Sequence, residues 1–505
     1  MPGSGTVTTA APPPPRAGER SLGARAASGA AVTMAGQLLK IMVQFGGIVL
    51  LARLLTPYDY GLMAMVTAIV GVAEILRDFG LSSAAIQARQ VSREQRDNLF
   101  WINSGIGLAL AALVFACSSW IAGFYREPAL VAISQALAVT FLLNGMTTQY
   151  RAHLSRGLRF GQLALSDVGA QSAGLAAGVV AALAGLGYWA LVWQQVVQAL
   201  VNLVIAMLCA RWLPRGYRRE APMRGFLSFG WNLMAAQLLG YASRNIGQVI
   251  IGNRIGAEAL GLYNRAFQLL MMPLNQINAP ATTVALPVLS QLQDQPQRFG
   301  AFLLRGQTVM VHAIVAAFAF ACAQALPLIV LVLGEQWRPA VPMFQVLTAG
   351  GIFQAAAYAA YWVFLAKGLM RQQLVYSVVG RLLLIGCICI GASGGAMGVA
   401  VGYSIGLALL WPLSLAWIAR VADAPAAALF RNGACAIVGY GACGGISFLA
   451  SRTWGGDSLV RQLLVGSLAM AVAFVAVCLL WPAFRRDVRA ILDSRSLLRQ
   501  AKATG

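Results

Sequence analysis

Residues 31–54 read AVTMAGQLLKIMVQFGGIVLLARL, and this stretch decides the fold class. It stays apolar for about the twenty residues that an α-helix needs to cross the ~30 Å hydrocarbon core of a bilayer. Comparable stretches follow along the chain, so the sequence predicts an all-α polytopic membrane protein. We expect about fourteen transmembrane helices, near 31–54, 59–76, 99–122, 128–148, 163–185, 188–210, 226–251, 260–286, 308–333, 341–366, 373–393, 395–419, 431–450 and 461–483.

The composition excludes a soluble protein. Of the 505 residues, 59% are hydrophobic and only 10% are charged, with a mean hydropathy of +0.70. A soluble domain carries roughly 25% charged residues, which it needs to cover a surface that faces water. A soluble enzyme and a soluble binding protein are therefore both ruled out.

The basic residues predict the orientation in the membrane. The chain has 37 Lys and Arg against 16 Asp and Glu, a net charge of +21. Lys40 lies inside a span, and the other 36 basic residues are divided unequally, with 28 assigned to one side of the membrane and eight to the other. Since cationic loops are retained in the cytoplasm, both termini are expected there, which requires an even number of spans. This distribution explains the positive charge without a nucleic-acid partner.

An internal repeat predicts two lobes. MAGQLL at residues 34–39 returns as MAAQLL at 234–239, and at the same offset Gly61-Leu62 matches Gly261-Leu262. Six spans per repeat give two parallel lobes around a central cavity, followed by two extra helices. The expected divisions are a disordered cytoplasmic tail (1–28), an N-terminal lobe (29–222), a C-terminal lobe (223–422), two C-terminal transmembrane helices (423–484) and a basic cytoplasmic tail (485–505).

Polar residues inside the apolar spans are the candidate binding residues. A charge in hydrocarbon costs at least ~2.5–3.5 kcal/mol, so it should face a cavity or a partner. Helical spacing places the candidates on shared faces, which predicts a substrate-binding cavity lined by Gln37, Lys40, Gln44, Gln237, Tyr241, Arg244, Gln248, Asn264, Gln268, Asn275 and Arg381. Hydrogen bonds between helices remain the alternative for the amides, as does snorkelling for the cations.

The other charged residues near the spans have simpler expected roles. Arg53, Arg254 and Arg265 lie close to span ends, where snorkelling to the interface is favoured. Glu74 and Asp167 are expected to pair with neighbouring arginines. A cavity richer in cations than in carboxylates suits an anionic substrate such as a phosphate head group.

The sequence offers no pattern for catalysis or for a bound metal. It contains no Ser/His/Asp set, no phosphate-binding loop and no metal-ligand cluster, and the eight cysteines lack zinc or disulfide spacing. We therefore expect a protein that is not an enzyme, with no catalytic residues, metal or cofactor.

Four short segments resemble a known family. They are LLTPYDYGL at 54–62, GYWALV at 187–192, LGLYNRA at 260–266 and LGEQW at 333–337. In this order they resemble the polysaccharide transporter family of the multidrug/oligosaccharidyl-lipid/polysaccharide exporter superfamily, the flippases of O-antigen, capsule and exopolysaccharide.

The resemblance implies a fold of two six-helix lobes that form a V. It also implies a flippase of the bacterial inner membrane that moves undecaprenyl-diphosphate-linked oligosaccharide to the periplasmic leaflet. Cavity cations would hold the diphosphate. The implied partners are this lipid-linked substrate, membrane lipids, and a polysaccharide polymerase with its export machinery.

Two other functions are open on the sequence alone. A cation-coupled drug or metabolite exporter of the same superfamily would need an essential carboxylate, for which Glu74 and Asp167 are the candidates in spans. A membrane enzyme of polysaccharide assembly would need catalytic residues on substantial external loops, and the external loops expected here are short.

Overall fold

The structure, a computed structural model, describes residues 17–78, 92–217, 238, 240, 241 and 244–503, with side chains between 34 and 492 except 78 and 279. Every regular element in these ranges is helical, which confirms the predicted fold class. The α-helices are α1 (Ala17–Leu54), α2 (Pro57–Asp78), α3 (Arg93–Tyr125), α4 (Ala129–Arg156), α5 (Phe160–Leu183), α6 (Trp189–Ala210), α7 (described over 244–254), α8 (Ala257–Gln291), α9 (Pro296–Ala323), α10 (Ala325–Leu333), α11 (Val341–Ala366), α12 (Met370–Gly391), α13 (Gly395–Ala422), α14 (Ala426–Trp454), α15 (Leu459–Leu480) and α16 (Pro482–Ala503).

Eleven stretches within the described ranges are long and apolar enough to cross a membrane. One of them, Met370–Ala422, contains two helices, α12 and α13. The predicted span 260–286 corresponds to α8, a 35-residue helix whose polar residues and three internal prolines keep it outside that set. The predicted span 226–251 falls mostly outside the described residues, and its described part belongs to α7.

The N-terminal boundary differs from the sequence expectation. Helix α1 begins at Ala17, so residues 17–28 are helical although they were assigned to a disordered tail. The segment is rich in alanine with some leucine and arginine, which have high helix propensity, and it runs directly into the first apolar span. Residues 1–16 of the predicted tail lie outside the described ranges.

The start of α2 explains part of the LLTPYDYGL segment. The Asp59 carboxylate accepts hydrogen bonds from the Thr56 backbone N–H at 2.9 Å and from the Thr56 hydroxyl at 2.7 Å. In return, the Asp59 N–H donates to the Thr56 hydroxyl oxygen at 3.3 Å. This reciprocal arrangement is a capping box, and Pro57 occupies the first helical position, where its missing N–H costs nothing. The segment therefore fixes where the chain turns back into the bundle.

Helices α2 and α8 cross in backbone contact. A Cβ on Gly61 would lie 1.7 Å from the Ala257 carbonyl oxygen, and a Cβ on Gly261 would lie 1.8 Å from the Pro57 carbonyl oxygen. Only glycine allows so close an approach at either position. In the internal repeat, Gly61 corresponds to Gly261 and Pro57 to Ala257. Each of the two contacts is therefore the equivalent of the other. The crossing thus relates the two repeats by approximate two-fold symmetry.

The segment that contains LGEQW closes the same end of the bundle. The Gln336 side chain donates to the carbonyls of Ala52 at 2.5 Å and Leu55 at 2.9 Å, and the Trp337 indole donates to the Ala52 carbonyl at 2.8 Å. These bonds satisfy carbonyls that the end of α1 leaves without helical partners. Arg53 reciprocates by donating to the Leu331 and Val332 carbonyls.

A third contact joins the two repeats at this end. The Asn253 side chain, at the end of α7, donates to the Phe124 carbonyl of α3 at 2.5 Å. We refer to residues 52–61, 124–127, 253–261 and 331–337 together as the joined end.

Candidate functional site

Two arginines lie side by side on neighbouring helices; Arg244 is exposed and Arg381 is half-buried. One guanidinium nitrogen of Arg244 (α7) and one of Arg381 (α12) each lie 3.5 Å from the position that a Cβ on Gly240 would occupy. The two positive charges act on each other electrostatically. Among the described residues, neither has a carboxylate within 4.0 Å. We call Arg244 and Arg381 the arginine pair, and its charge is available to an anionic ligand.

Tyr241 joins this region to the first repeat. Its hydroxyl donates to the Thr67 carbonyl of α2 at 2.6 Å. The ring also fills the space beside Gly71, where a Cβ would lie 2.0 Å from the Tyr241 hydroxyl oxygen. The arginine pair therefore lies close to a contact between α2 and the helix that carries Arg244.

A chain of amides runs from Tyr241 to α8. Asn245 donates to the Tyr241 carbonyl at 2.9 Å, Gln248 donates to Asn245 at 3.1 Å, and Asn264 donates to Gln248 at 2.8 Å. Such a chain positions its members cooperatively in a medium of low dielectric constant. We call Asn245, Gln248 and Asn264 the amide chain.

The amide chain ends at a polar pocket of about 270 Å³ between α1, α2, α5, α6 and α8. Asn264, Arg265 and Gln268 contribute from α8, and Gln44 contributes from α1. Its remaining polar lining residues are Tyr60, Thr67, Gln171, Gln194 and Gln195. So many amides in a membrane bundle provide donors and acceptors for water or for a hydroxyl-rich ligand.

Arg265 closes this pocket towards the joined end. The residue is only 4% exposed, and its guanidinium lies 3.9 Å from the ring centroid of Tyr60 and 5.6 Å from that of Trp337. It donates one hydrogen bond to Gln268 at 2.8 Å, while its Nε is buried without a partner. No carboxylate within 4.0 Å balances its charge among the described residues. The expectation that Arg265 snorkels to the interface is wrong, because Tyr60 and Trp337 cover it.

Lys40 is ion-paired. Its Nζ lies 3.7 Å from the Asp167 carboxylate, which also pairs with Arg151. The side chains of Lys40 and Asp167 are 35% and 25% exposed, so solvent screens the cluster in part. With two cations to one carboxylate, the cluster keeps an excess positive charge, although Lys40 is not the free cation that its position in span 1 suggested.

A comparison with known protein families identifies the family of this chain. The profile described as "Polysaccharide biosynthesis protein" matches residues 50–342, which is more than half of the 505 residues. The chain belongs to the polysaccharide biosynthesis protein family. It is thus a multi-pass polysaccharide biosynthesis transport protein and not an enzyme, as the sequence resemblance predicted.

Individual proteins of similar sequence and fold agree with this assignment. The chain is 29% identical to "Teichuronic acid biosynthesis protein TuaB" of Bacillus subtilis (strain 168), over 90% of this chain and 94% of TuaB. It is 26% identical to "Lipopolysaccharide biosynthesis protein WzxC" of Escherichia coli (strain K12), over 70% and 72% of the two chains. The solved structure "Lipid II flippase MurJ, inward closed conformation" aligns with a TM-score of 0.68 at 12% identity, over 88% of this chain and 98% of MurJ, which shows a common fold.

The structure brings together some of the residues that the sequence predicted for the substrate-binding cavity. Gln44, Asn264 and Gln268 share the polar pocket, Gln248 belongs to the amide chain, and Tyr241, Arg244 and Arg381 lie near Gly240. Gln37 and Asn275 are exposed, and Gln237 lies outside the described residues.

Several site residues were not singled out from the sequence. Gln171, Gln194 and Gln195 lie within predicted spans 5 and 6, so a search for every amide inside an apolar span would have found them. Arg265 is flanked by Asn264 and lies three residues before Gln268, which was a signal that it belongs to the same polar cluster. Thr67 has no such signal, since a lone threonine in a helix usually bonds its own backbone.

Substituting Arg265 should separate the effects of its charge and its volume. We expect Arg265→Gln to leave the free energy of unfolding within about 1 kcal/mol of wild type, because it removes a buried charge without a carboxylate partner. Arg265→Ala should cost about 2–3 kcal/mol, because it also removes the packing on Tyr60 and Trp337. Thermal unfolding of the purified protein in detergent measures both. Equal losses in the two variants would show that the charge itself stabilises the fold.

Proposed function

We propose that this protein is a flippase for lipid-linked oligosaccharides in the bacterial inner membrane. It moves undecaprenyl-diphosphate-linked repeat units from the cytoplasmic to the periplasmic leaflet for O-antigen, capsule or exopolysaccharide synthesis. The observation that carries the proposal is the arginine pair: two cations side by side on helices α7 and α12, with no carboxylate within 4.0 Å among the described residues.

A diphosphate suits this arrangement chemically. Guanidinium groups bind phosphate oxygens with charge-assisted and often bidentate hydrogen bonds. Two adjacent arginines can bind the two phosphates of one head group, and the ligand's negative charge then offsets the cost of holding both cations in the membrane. A cationic drug would instead be repelled.

The two repeats provide the moving parts. Residues 29–222 and 223–422 form the two lobes of the proposal, and the substrate binds between them. In the orientation predicted from the loop charges, both termini are cytoplasmic and the joined end faces the periplasm. The diphosphate enters from the cytoplasmic side, while the polyprenyl tail stays in lipid. Separation of the joined end then exposes the glycan outside.

The names of similar proteins support the same class of substrate. TuaB and WzxC are named for the biosynthesis of teichuronic acid and lipopolysaccharide, and MurJ is named as a lipid II flippase. The partners that follow are the lipid-linked substrate, membrane lipids, and a polymerase with its export machinery.

Translocation in sealed liposomes tests the proposal. Purified full-length protein is reconstituted, and the substrate is an undecaprenyl-diphosphate oligosaccharide that carries a fluorescent sugar. A membrane-impermeant quencher then reports the fraction exposed outside. We expect exposure above the protein-free background without ATP. Exposure equal to that background, across several glycans and with an imposed proton gradient, would contradict the proposal.

Asp167 distinguishes this function from a cation-coupled exporter. We expect Asp167→Asn to retain at least about a third of wild-type flux and to cost less than about 1 kcal/mol of stability, because the carboxylate belongs to a partly exposed ion-pair cluster. The liposome assay measures flux, and Glu74→Gln serves as the companion variant. Loss of flux in Asp167→Asn that Asp167→Glu restores would instead indicate a coupling carboxylate.

A further inference from the structure

The polar face of α8 continues beyond the polar pocket. Asn264, Gln268, Asn275, Asn278 and Thr282 are separated by four, seven, three and four residues, which keeps them on one side of the helix. The first two line the polar pocket, and Thr282 lines a second cavity. Polar residues on one face of α8 thus lie between the two cavities, interrupted by Met271.

The second cavity is a cleft of about 410 Å³ between α8 and α11. Its lining residues are Thr282, Thr283, Leu286, Pro287, Tyr358 and Tyr361, which we call the tyrosine cleft. None of them carries a charge. The rings of Tyr358 and Tyr361 lie 5.5 Å apart at 48°, so the cleft offers two aromatic surfaces together with hydroxyl groups.

Hydrogen bonds hold one wall of the cleft in place. The Trp362 indole donates to the Thr282 hydroxyl oxygen at 3.0 Å, and that hydroxyl donates to the Asn278 carbonyl at 2.9 Å. The Tyr358 hydroxyl lies 3.1 Å from the same Thr282 oxygen. The wall is therefore pre-organised, which lowers the cost of binding a ligand.

Other polar groups on α8 and α11 lack hydrogen-bond partners among the described residues. The Tyr361 hydroxyl makes no hydrogen bond with described residues, and the residue is 37% exposed. The side-chain oxygens of Asn278 and Gln354 are buried without partners; Gln354 lies one turn before Tyr358 on α11. Asn278 and Gln354 do not line the cleft, whereas Tyr361 does, so its hydroxyl is the group that can exchange hydrogen bonds with a hydroxyl-bearing ligand.

We infer that the tyrosine cleft binds a neutral sugar unit of the lipid-linked glycan, an inference that rests on the proposed function. A sugar offers hydroxyl groups for the Tyr361 hydroxyl and apolar C–H faces for the tyrosine rings. A phosphate would find no cation among the lining residues, and a purely apolar tail would leave the Tyr361 hydroxyl without a hydrogen bond.

The position of the cleft fits a glycan attached to a diphosphate on the arginine pair. A short loop joins the end of α11 to the start of α12. Tyr361 is five residues before the end of α11, and Arg381 is eleven residues after the start of α12. At 1.5 Å per residue, the cleft is about 9 Å nearer that end of the bundle than Arg381, less than two helical turns. The first sugars beyond the diphosphate are long enough to cover this separation along the helix axis.

Competition binding tests the inference with full-length protein in nanodiscs. Fluorescent undecaprenyl diphosphate is displaced either by undecaprenyl diphosphate or by its oligosaccharide-bearing form. We expect wild type to bind the glycan-bearing lipid about 10-fold more tightly, and Tyr361→Ala to reduce this advantage below about 3-fold without weakening the sugar-free lipid. Tyr361→Phe retains the ring and should lose only part of the advantage. Tyr217→Ala, on an exposed tyrosine outside the cleft, is the matched control.

The results separate the cleft from the general function. An advantage that is absent in wild type, or unchanged in Tyr361→Ala, overturns the sugar site. Equal weakening of both lipids in Tyr361→Ala also overturns it, because it shows a structural effect. Failure of the proposed function would give a different result: the wild-type protein would bind both lipids but would not expose the fluorescent sugar in the liposome assay.

Discussion

Replacing Arg244 and Arg381 together by alanine should reduce translocation of the lipid-linked oligosaccharide at least about 100-fold. Each guanidinium contributes charge-assisted hydrogen bonds worth about 1.5–3 kcal/mol, and the double variant loses both contributions. Each single variant should lose roughly 10-fold or more, because the remaining arginine still holds one phosphate. Flux in sealed liposomes, at matched amounts of inserted protein, is the measurement.

Arg254→Ala is the matched control for the arginine pair. Arg254 is exposed and lies on the same helix as Arg244, which is also exposed, but Arg254 is at the joined end and away from Arg381. We expect this variant to transport at the wild-type rate. Arg381→Lys should keep part of the flux that Arg381→Ala loses, since lysine supplies the charge without the planar guanidinium. Wild-type flux from the double alanine variant would contradict the assignment of the pair to the diphosphate.

The second large effect concerns stability, and it is expected for Trp337→Ala. Trp337 is fully buried, donates a hydrogen bond to the Ala52 carbonyl at 2.8 Å and packs edge-on against Tyr60 at 5.4 Å. Removing a buried tryptophan side chain typically costs about 3–5 kcal/mol. Thermal unfolding in detergent should therefore occur at a clearly lower temperature than in wild type.

Two tryptophan controls qualify this result. Trp337→Phe keeps most of the ring and should lose about 1–2 kcal/mol, mainly the hydrogen bond to Ala52. Trp454→Ala removes a side chain that is 69% exposed and should leave the unfolding temperature unchanged in detergent. A loss in Trp454→Ala as large as that in Trp337→Ala would mean that the joined end has no special role in stability.

The fold could be predicted from the sequence because its determinants are local. Runs of apolar residues set the spans, and the Thr56–Asp59 cap with Pro57 sets the start of α2. The repeat also predicted correspondence between Gly61 and Gly261, which the structure shows as a symmetric crossing. The predicted segment 260–286 falls within a single helix, α8, although its prolines and polar residues lower its hydropathy.

The site was predicted less completely because its geometry depends on distant partners. Tyr60 and Trp337, which cover Arg265, are 205 and 72 residues away from it, and Asp167, which neutralises part of the charge near Lys40, is 127 residues away. Helical spacing identifies the face of a helix but not the neighbour that covers it. Residues whose role depends on such a neighbour, including Lys40 and Arg265, therefore required the three-dimensional structure.

The glycine crossing of α2 and α8 has a mechanical consequence. It lies within the first two turns of both helices, so nearly the whole length of each helix extends to one side of it. From Gly261 to the end of α8 is about 45 Å at 1.5 Å per residue. A rotation of about 15° at such a fulcrum, the size known for subunit rotations in other proteins, would move the far end by roughly 12 Å. The crossing therefore provides leverage: a small change of angle at the glycines becomes a wide opening at the opposite end.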